Sequence, residues 1–131
     1  MTASADRYFT NAAMTPFLVT FFNDHTAQSK RQSNFTLASL AELIRTATAD
    51  EKSRLPWLKL ARFGNAKTEK GSLRHDRNVI ACSGLEADYD GERISFEEAV
   101  DIIDKAGLQA IVYTCPSHTE AAPRFRYLLL F

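Results

Sequence analysis

The segment from Val79 to Cys115 constrains the fold most, because it sets one strongly signalled helix between two β-rich runs. Ser95-Phe96-Glu97-Glu98 has the spacing of a capping box, in which the hydroxyl and the Glu98 carboxylate satisfy the first free N–H groups of a helix. Phe96, Ala99, Val100, Ile102, Ile103 and Ala106 then fall on one face, and Gly107 stands where a left-handed residue ends the helix. Upstream, Val79 to Ala87 (VIACSGLEA) reads as a strand followed by an Asp90-Gly91 turn; downstream, Ala110 to Cys115 (AIVYTC) reads as another. A strand–helix–strand crossover is right-handed and makes its strands parallel. Phe125 to Phe131 (FRYLLLF) reads as a third strand, joined by a nine-residue connection from Pro116 to Arg124. It must run antiparallel to the strand before it, and in a split unit it lies between the two parallel strands.

The N-terminal half carries weaker signals. Residues 1–15 are small and polar and read as mobile, and Pro16 to Phe22 (PFLVTFF) reads as a strand. Asn23 to Asn34, with Lys30 and Arg31, reads as a polar loop. Thr36 is an N-cap for an amphipathic helix with Leu37, Leu40, Leu43 and Ile44 at helical spacing. In LPWLKLARFG, Pro56 suits a first helical turn and Gly64 a stop, which predicts a short helix; Asn65 to Asn78 reads as a charge-rich loop.

At 131 residues with 45% hydrophobic side chains, the chain is sized for one packed domain. No apolar stretch approaches the ~20 residues of a membrane span, and the start lacks the basic and apolar regions of a secretory signal. Cys82 and Cys115 stand far apart in apolar settings, which points to thiols in a reducing cytoplasm and away from a disulfide framework. Sixteen basic residues balance sixteen acidic ones, yet the charges are segregated. Lys52 to Arg77 is strongly basic, and Glu86 to Asp104 is strongly acidic. Such a pair suits a site that binds a polyanion and holds cations at its reacting centre; two solvated faces of opposite sign are the plainer alternative.

In the split arrangement the ends of both parallel strands and the start of the antiparallel one share an edge. That edge gathers Asp88 and Asp90, then Ser117 and His118, then Arg124 and Arg126. Residues two apart on a strand share a face, so Glu86, Asp88 and Asp90 project together while Leu85, Ala87 and Tyr89 point away. Carboxylates so close suit Mg²⁺ or Mn²⁺, although an isolated Asp-x-Asp is more often a solvated turn. A hydroxyl, an imidazole and two guanidinium groups facing them match the oxygens of a triphosphate; arginines that merely keep an edge strand soluble are the alternative. Acids for metal opposite donors for phosphate is the arrangement phosphoryl transfer requires.

GLEADYDGE, the capped helix and IVYTCPSHTEAAPRFRYLLLF together resemble the N-terminal primase-polymerase domain of replication proteins from prophages and plasmids, in the archaeo-eukaryotic primase superfamily. The resemblance implies an α+β fold: a split β-α-β, RRM-like sheet with helices on one face and an N-terminal strand and helices added. It implies that Asp88 and Asp90 hold Mg²⁺ or Mn²⁺, with Glu86 added as a metal ligand by the strand alternation and not by the resemblance, and that Asp88, Asp90 and His118 serve catalysis. Ser117, His118, Arg124 and Arg126 would contact the nucleoside triphosphate; charge alone, and not the resemblance, suggests that Arg74, His75 and Arg77 approach a DNA or RNA template. A helicase region or protein is an implied partner. The family has a third acid on a later strand, so the chain reads as a truncated domain lacking the second half of the unit.

Two other classes compete. A non-catalytic module would bind single-stranded nucleic acid through basic and aromatic side chains without metal. A rolling-circle nuclease wants two histidines one residue apart, and His25, His75 and His118 are dispersed. Neither zinc-ligand spacing nor a nucleophile elbow is present.

Overall fold

The computed structural model describes residues 8–10, 15–55 and 57–131. The rest of the polar N-terminal stretch, and Pro56 with its expected place in a helical turn, lie outside the described residues. The fold is mixed α+β, with small antiparallel sheets and, among the described residues, two α-helices of ten residues each.

The first sheet is ordered β3-β2-β4, with β2 (Phe17–Phe22) paired antiparallel to β3 (Lys30–Phe35) and to β4 (Trp57–Lys59). Two expectations fail here. The polar run expected to be a loop supplies β3, and the expected helix in LPWLKLARFG is β4 followed by β5 (Ala61–Phe63). The reason is packing. KRQSNF has few apolar groups of its own, but it pairs along the whole of β2 as an edge strand, where charged side chains stay in water. Ala61 and Phe63 are buried while Arg62 between them is exposed, a two-residue alternation that a helix cannot satisfy.

The helix α1 (Leu37–Thr46) starts at Thr36 as expected, with Thr36 Oγ1 accepting from the Ser39 amide and Ser39 Oγ accepting from the Thr36 amide. It buries Leu37, Leu40, Ala41 and Ile44 against Val19 and Phe21 of β2 and against Ile111 and Leu128 further along the chain.

The expected single strand from Val79 divides at Ser83 into β6 (Val79–Cys82), which pairs with β5, and β7 (Gly84–Tyr89). The helix α2 (Phe96–Lys105) follows, closed by the Ser95–Glu98 capping box at one end and by Gly107, φ +68°, at the other. Then come β8 (Ala110–Thr114) and β9 (Phe125–Leu130). The second sheet is ordered β1-β8-β9-β7, with β1 (Tyr8–Thr10) antiparallel to β8. β9 runs antiparallel to both β7 and β8, so those two are parallel with the last strand between them, the connectivity expected from the crossover.

The helices do not share a face. Ile111 and Leu128 pack with α1, whereas Ala110, Val112 and Phe125 pack with Ala99 and Ile103 of α2. Adjacent residues of a strand point oppositely, so α1 and α2 lie on opposite sides of this sheet. The expectation of helices on one face is overturned by the N-terminal elements, which bring α1 and the first sheet onto the side that α2 leaves open. A smaller core, centred on Phe22, Phe63 and Leu73, fills the far side of the first sheet.

Candidate functional site

Register alone sets one acid against one arginine. Asp88 is directly opposite Arg126 and Glu86 is opposite Leu128, while Tyr113 of β8 is opposite Arg126 on its other side. Directly opposed residues share a face, so Glu86, Asp88, Tyr113 and Arg126 project on the α1 side. Leu85, Ala87 and Tyr89 project on the other, as expected.

Asp88 Oδ1 lies 3.4 Å from Arg126 Nε, with the Asp88 side chain 60% exposed and that of Arg126 23% exposed. The Arg126 Nε is buried and has no hydrogen-bond acceptor, so Asp88 acts on it as a charge. Burial opposes the Arg126 charge, but Tyr113 and Asp88 outweigh that effect and raise its pKa above the ordinary arginine value. Burial also pushes the Tyr113 phenol up, against the pull of the Arg126 charge.

Glu86 is engaged elsewhere. Its Oε2 accepts from the Leu60 amide at 3.0 Å and its Oε1 lies 2.9 Å from Lys59 Nζ, which ties β7 to the link between β4 and β5. Asp90 lies one residue beyond β7, exposed, and its charge acts on Arg124.

Arg124 is held from two directions. Its amide donates to His118 Nδ1 at 3.1 Å, and its Nε donates to Glu92 at 2.9 Å with Nη2 on the same oxygen. The hydrogen bond to Glu92, then the charge of Glu92, raises the Arg124 pKa. His118 donates its own amide to the Cys115 carbonyl at 2.9 Å. With Nδ1 accepting, a neutral ring carries its proton on Nε2, a donor for an anion. Ser117 is exposed in the same loop.

The turn after Asp90 is pinned by Tyr89, whose hydroxyl accepts from the Arg93 and Ile94 amides at 3.1 and 2.9 Å. The Tyr89 ring stacks on Phe125 with centroids 4.7 Å apart, and a Cβ on Gly91 would come within 2.7 Å of that ring. Glu92 adopts φ +58°, a left-handed conformation costly for a residue with a side chain. Its ion pair with Arg124 spans 32 positions, so nothing local in the sequence announces it. Tyr113 was legible, since alternation on β8 puts it on one face with Ile111.

Of the expected template contacts, Arg74 and His75 line a cavity of about 330 Å³ together with Lys59 and Glu86, and Arg77 is exposed in the 3-10 turn Asp76–Asn78. This cavity opens between β4–β5, β6 and β7, on the approach to Asp88 along β7. The Arg74 guanidinium lies 5.4 Å from the Trp57 ring centroid and donates to the His25 carbonyl at 3.3 Å. His75 Nε2 is 2.8 Å from the Ala66 carbonyl. Asn78 holds this loop. Its Nδ2 donates to the Gly64 and Leu73 carbonyls and its Oδ1 accepts from the Ala66 amide.

Among the described residues no group of three or more His, Cys, Asp or Glu is placed to hold a metal ion. Asp88 and Asp90 are nonetheless hard oxygen donors, and Mg²⁺ or Mn²⁺ at such a pair draws its other ligands from water and substrate phosphates. Among the described residues, no helix is long and apolar enough to cross a membrane. No family model, curated protein or solved structure matches this chain.

Proposed function

We propose that this chain is a primase-polymerase-like nucleotidyltransferase module of a mobile-element replication protein, built on an RRM-like split β-α-β sheet. It binds a nucleoside triphosphate with Mg²⁺ or Mn²⁺ and works on a DNA or RNA template, with a helicase region or protein as partner. The observation that carries the reading is one sheet edge where Asp88 faces Arg126 while Asp90, His118 and Arg124 gather in the adjoining loops.

Each group has a role in this reading. Asp88 and Asp90 would hold the cation, which when bound polarises the transferring phosphoryl group. His118, through Nε2–H, and Ser117 donate to phosphate oxygens. Arg126 is kept charged by its surroundings and neutralises the phosphate side facing Asp88; Arg124 exchanges Glu92 for phosphate, keeping a carboxylate-like partner throughout. Glu86 holds β7 against the β4–β5 link and so fixes Asp88. Arg74, His75 and Arg77 supply the basic approach for the template.

Calorimetric titration of a nucleoside triphosphate with Mn²⁺ tests the reading. Wild type is expected to bind, and the Asp88→Ala/Asp90→Ala variant to lose at least tenfold in affinity; equal affinities reject the metal role. The second reading, a non-catalytic nucleic-acid-binding module, is favoured by the engagement of Glu86 with Lys59 and Leu60, which leaves a pair of acids at the edge and not a trio. It predicts oligonucleotide binding that survives EDTA.

A further inference from the structure

The cavity beside β7 has a chemistry that does not suit phosphate alone. Lys59 and Arg74 at its walls are balanced by Asp76 and Glu86, with His75 between them, so it offers an anion no net positive charge. It offers hydrogen-bond donors and acceptors together, over an apolar wall that includes Phe63 and Val79. A nucleobase has that character: a flat apolar face and an edge that mixes donors with acceptors. At about 330 Å³ the cavity is at the small end of ligand sites, room for one base and its sugar.

The Arg74 side chain is set in advance. It lies over Trp57 and is tethered to the His25 carbonyl, and arginine planes held in this way are platforms on which unstacked bases rest. Lys67, Lys70 and Arg77 are exposed in the loop and turn beyond β5, where a phosphate backbone would run. Glu86 in the cavity wall is two residues from Asp88 on the same face of β7, about 7 Å along the strand.

We propose that this cavity takes one unpaired base of a single-stranded nucleic acid whose backbone follows the basic segment from Lys59 to Arg77. The inference rests on the nucleic-acid partner of the proposed function and not on its catalysis.

Fluorescence anisotropy with labelled eight-nucleotide homopolymers in EDTA tests it. Wild type is expected to bind, to prefer one base over the others, and to protect Cys82, an exposed residue at the cavity wall, from alkylation mapped by mass spectrometry. Val79→Phe, which fills the cavity, is expected to weaken binding roughly tenfold while leaving the salt dependence unchanged, because the phosphate contacts persist. Unchanged affinity in a folded Val79→Phe, or wild-type binding without Cys82 protection, overturns the pocket. Should Val79→Phe fail to fold, the wild-type Cys82 footprint decides alone. No oligonucleotide binding by wild type overturns it outright. The two proposals fail separately: oligonucleotide binding and the Cys82 footprint are read in EDTA, so they stand or fall whether or not nucleoside triphosphate binding proves to depend on metal.

Discussion

Replacing Asn78 with alanine should unfasten the loop that carries Arg74 and His75. Asn78 is 4% exposed, and its amide makes three hydrogen bonds to main-chain groups: 3.1 Å to the Gly64 carbonyl, 2.7 Å to the Leu73 carbonyl and 3.0 Å from the Ala66 amide. Each such bond is worth about 0.5–1.5 kcal/mol net, and a buried partner left without one costs more. The expected loss for Asn78→Ala is therefore about 3 kcal/mol, read in urea as a lower midpoint at constant slope. Asn78→Asp sharpens the argument. It keeps the acceptor for Ala66 but turns an anionic oxygen toward two carbonyls, so it should be at least as unstable as the alanine variant near neutral pH. Its deficit should shrink in acid, relative to wild type at the same pH, as the carboxyl regains a proton to donate. A loss under about 1 kcal/mol for Asn78→Ala, or a deficit independent of pH for Asn78→Asp, would refute the claim that these bonds hold the loop.

Gly84→Ala should cost about 3 kcal/mol, the upper part of the range for overpacking, because the new Cβ would collide with the Leu129 carbonyl oxygen and lie 2.9 Å from Leu60 Cδ1. Amides of β7 should then exchange faster than those of β8, and equal protection would count against the close approach. Tyr89→Phe keeps the stack on Phe125 but removes the acceptor for two amides, so exchange at Arg93 and Ile94 should quicken with a stability loss of about 1 kcal/mol. Burial raises the Tyr113 pKa above its ordinary 10.0. As pH rises past 10.0 the unfolded tyrosine therefore releases its proton while the folded one retains it, and stability falls toward the folded pKa. In denaturation series at alkaline pH, Tyr113→Phe should lose stability less steeply than wild type, and parallel curves would contradict the assignment.

What the sequence revealed and what it hid divide along contact distance. Both capping boxes are local, needing residues three apart, and both helices begin where Thr36 and Ser95 indicated. The placement of β9 between β7 and β8 followed from connection lengths and handedness. The failures are long-range. β3 is a strand because β2 is available to pair with it, which KRQSNF alone does not say. In LPWLKLARFG, buried Leu60 sits at the break between β4 and β5, so two short alternations joined out of phase imitate helical spacing. The same holds at the site. Connectivity brought Asp88 and Arg126 to one edge of the sheet, but the register that sets them opposite each other is long-range; the partners of Glu86 lie up to 27 positions away and Glu92 meets Arg124 only because two loops converge.

Along β9, Leu128 is enclosed by α1 and the first sheet, and Arg126, one step of the same face further on, reaches the rim beside Asp88. The strand is paired on both sides from Phe125 to Leu129, so the rim is held by the sheet as well as by the interior. Whatever docks at that rim meets one wall that is a strand anchored in the interior and two that are loops, at residues 90–94 and 116–124. Variants selected for a new ligand should accordingly accumulate in those two stretches, while the strands tolerate little alteration.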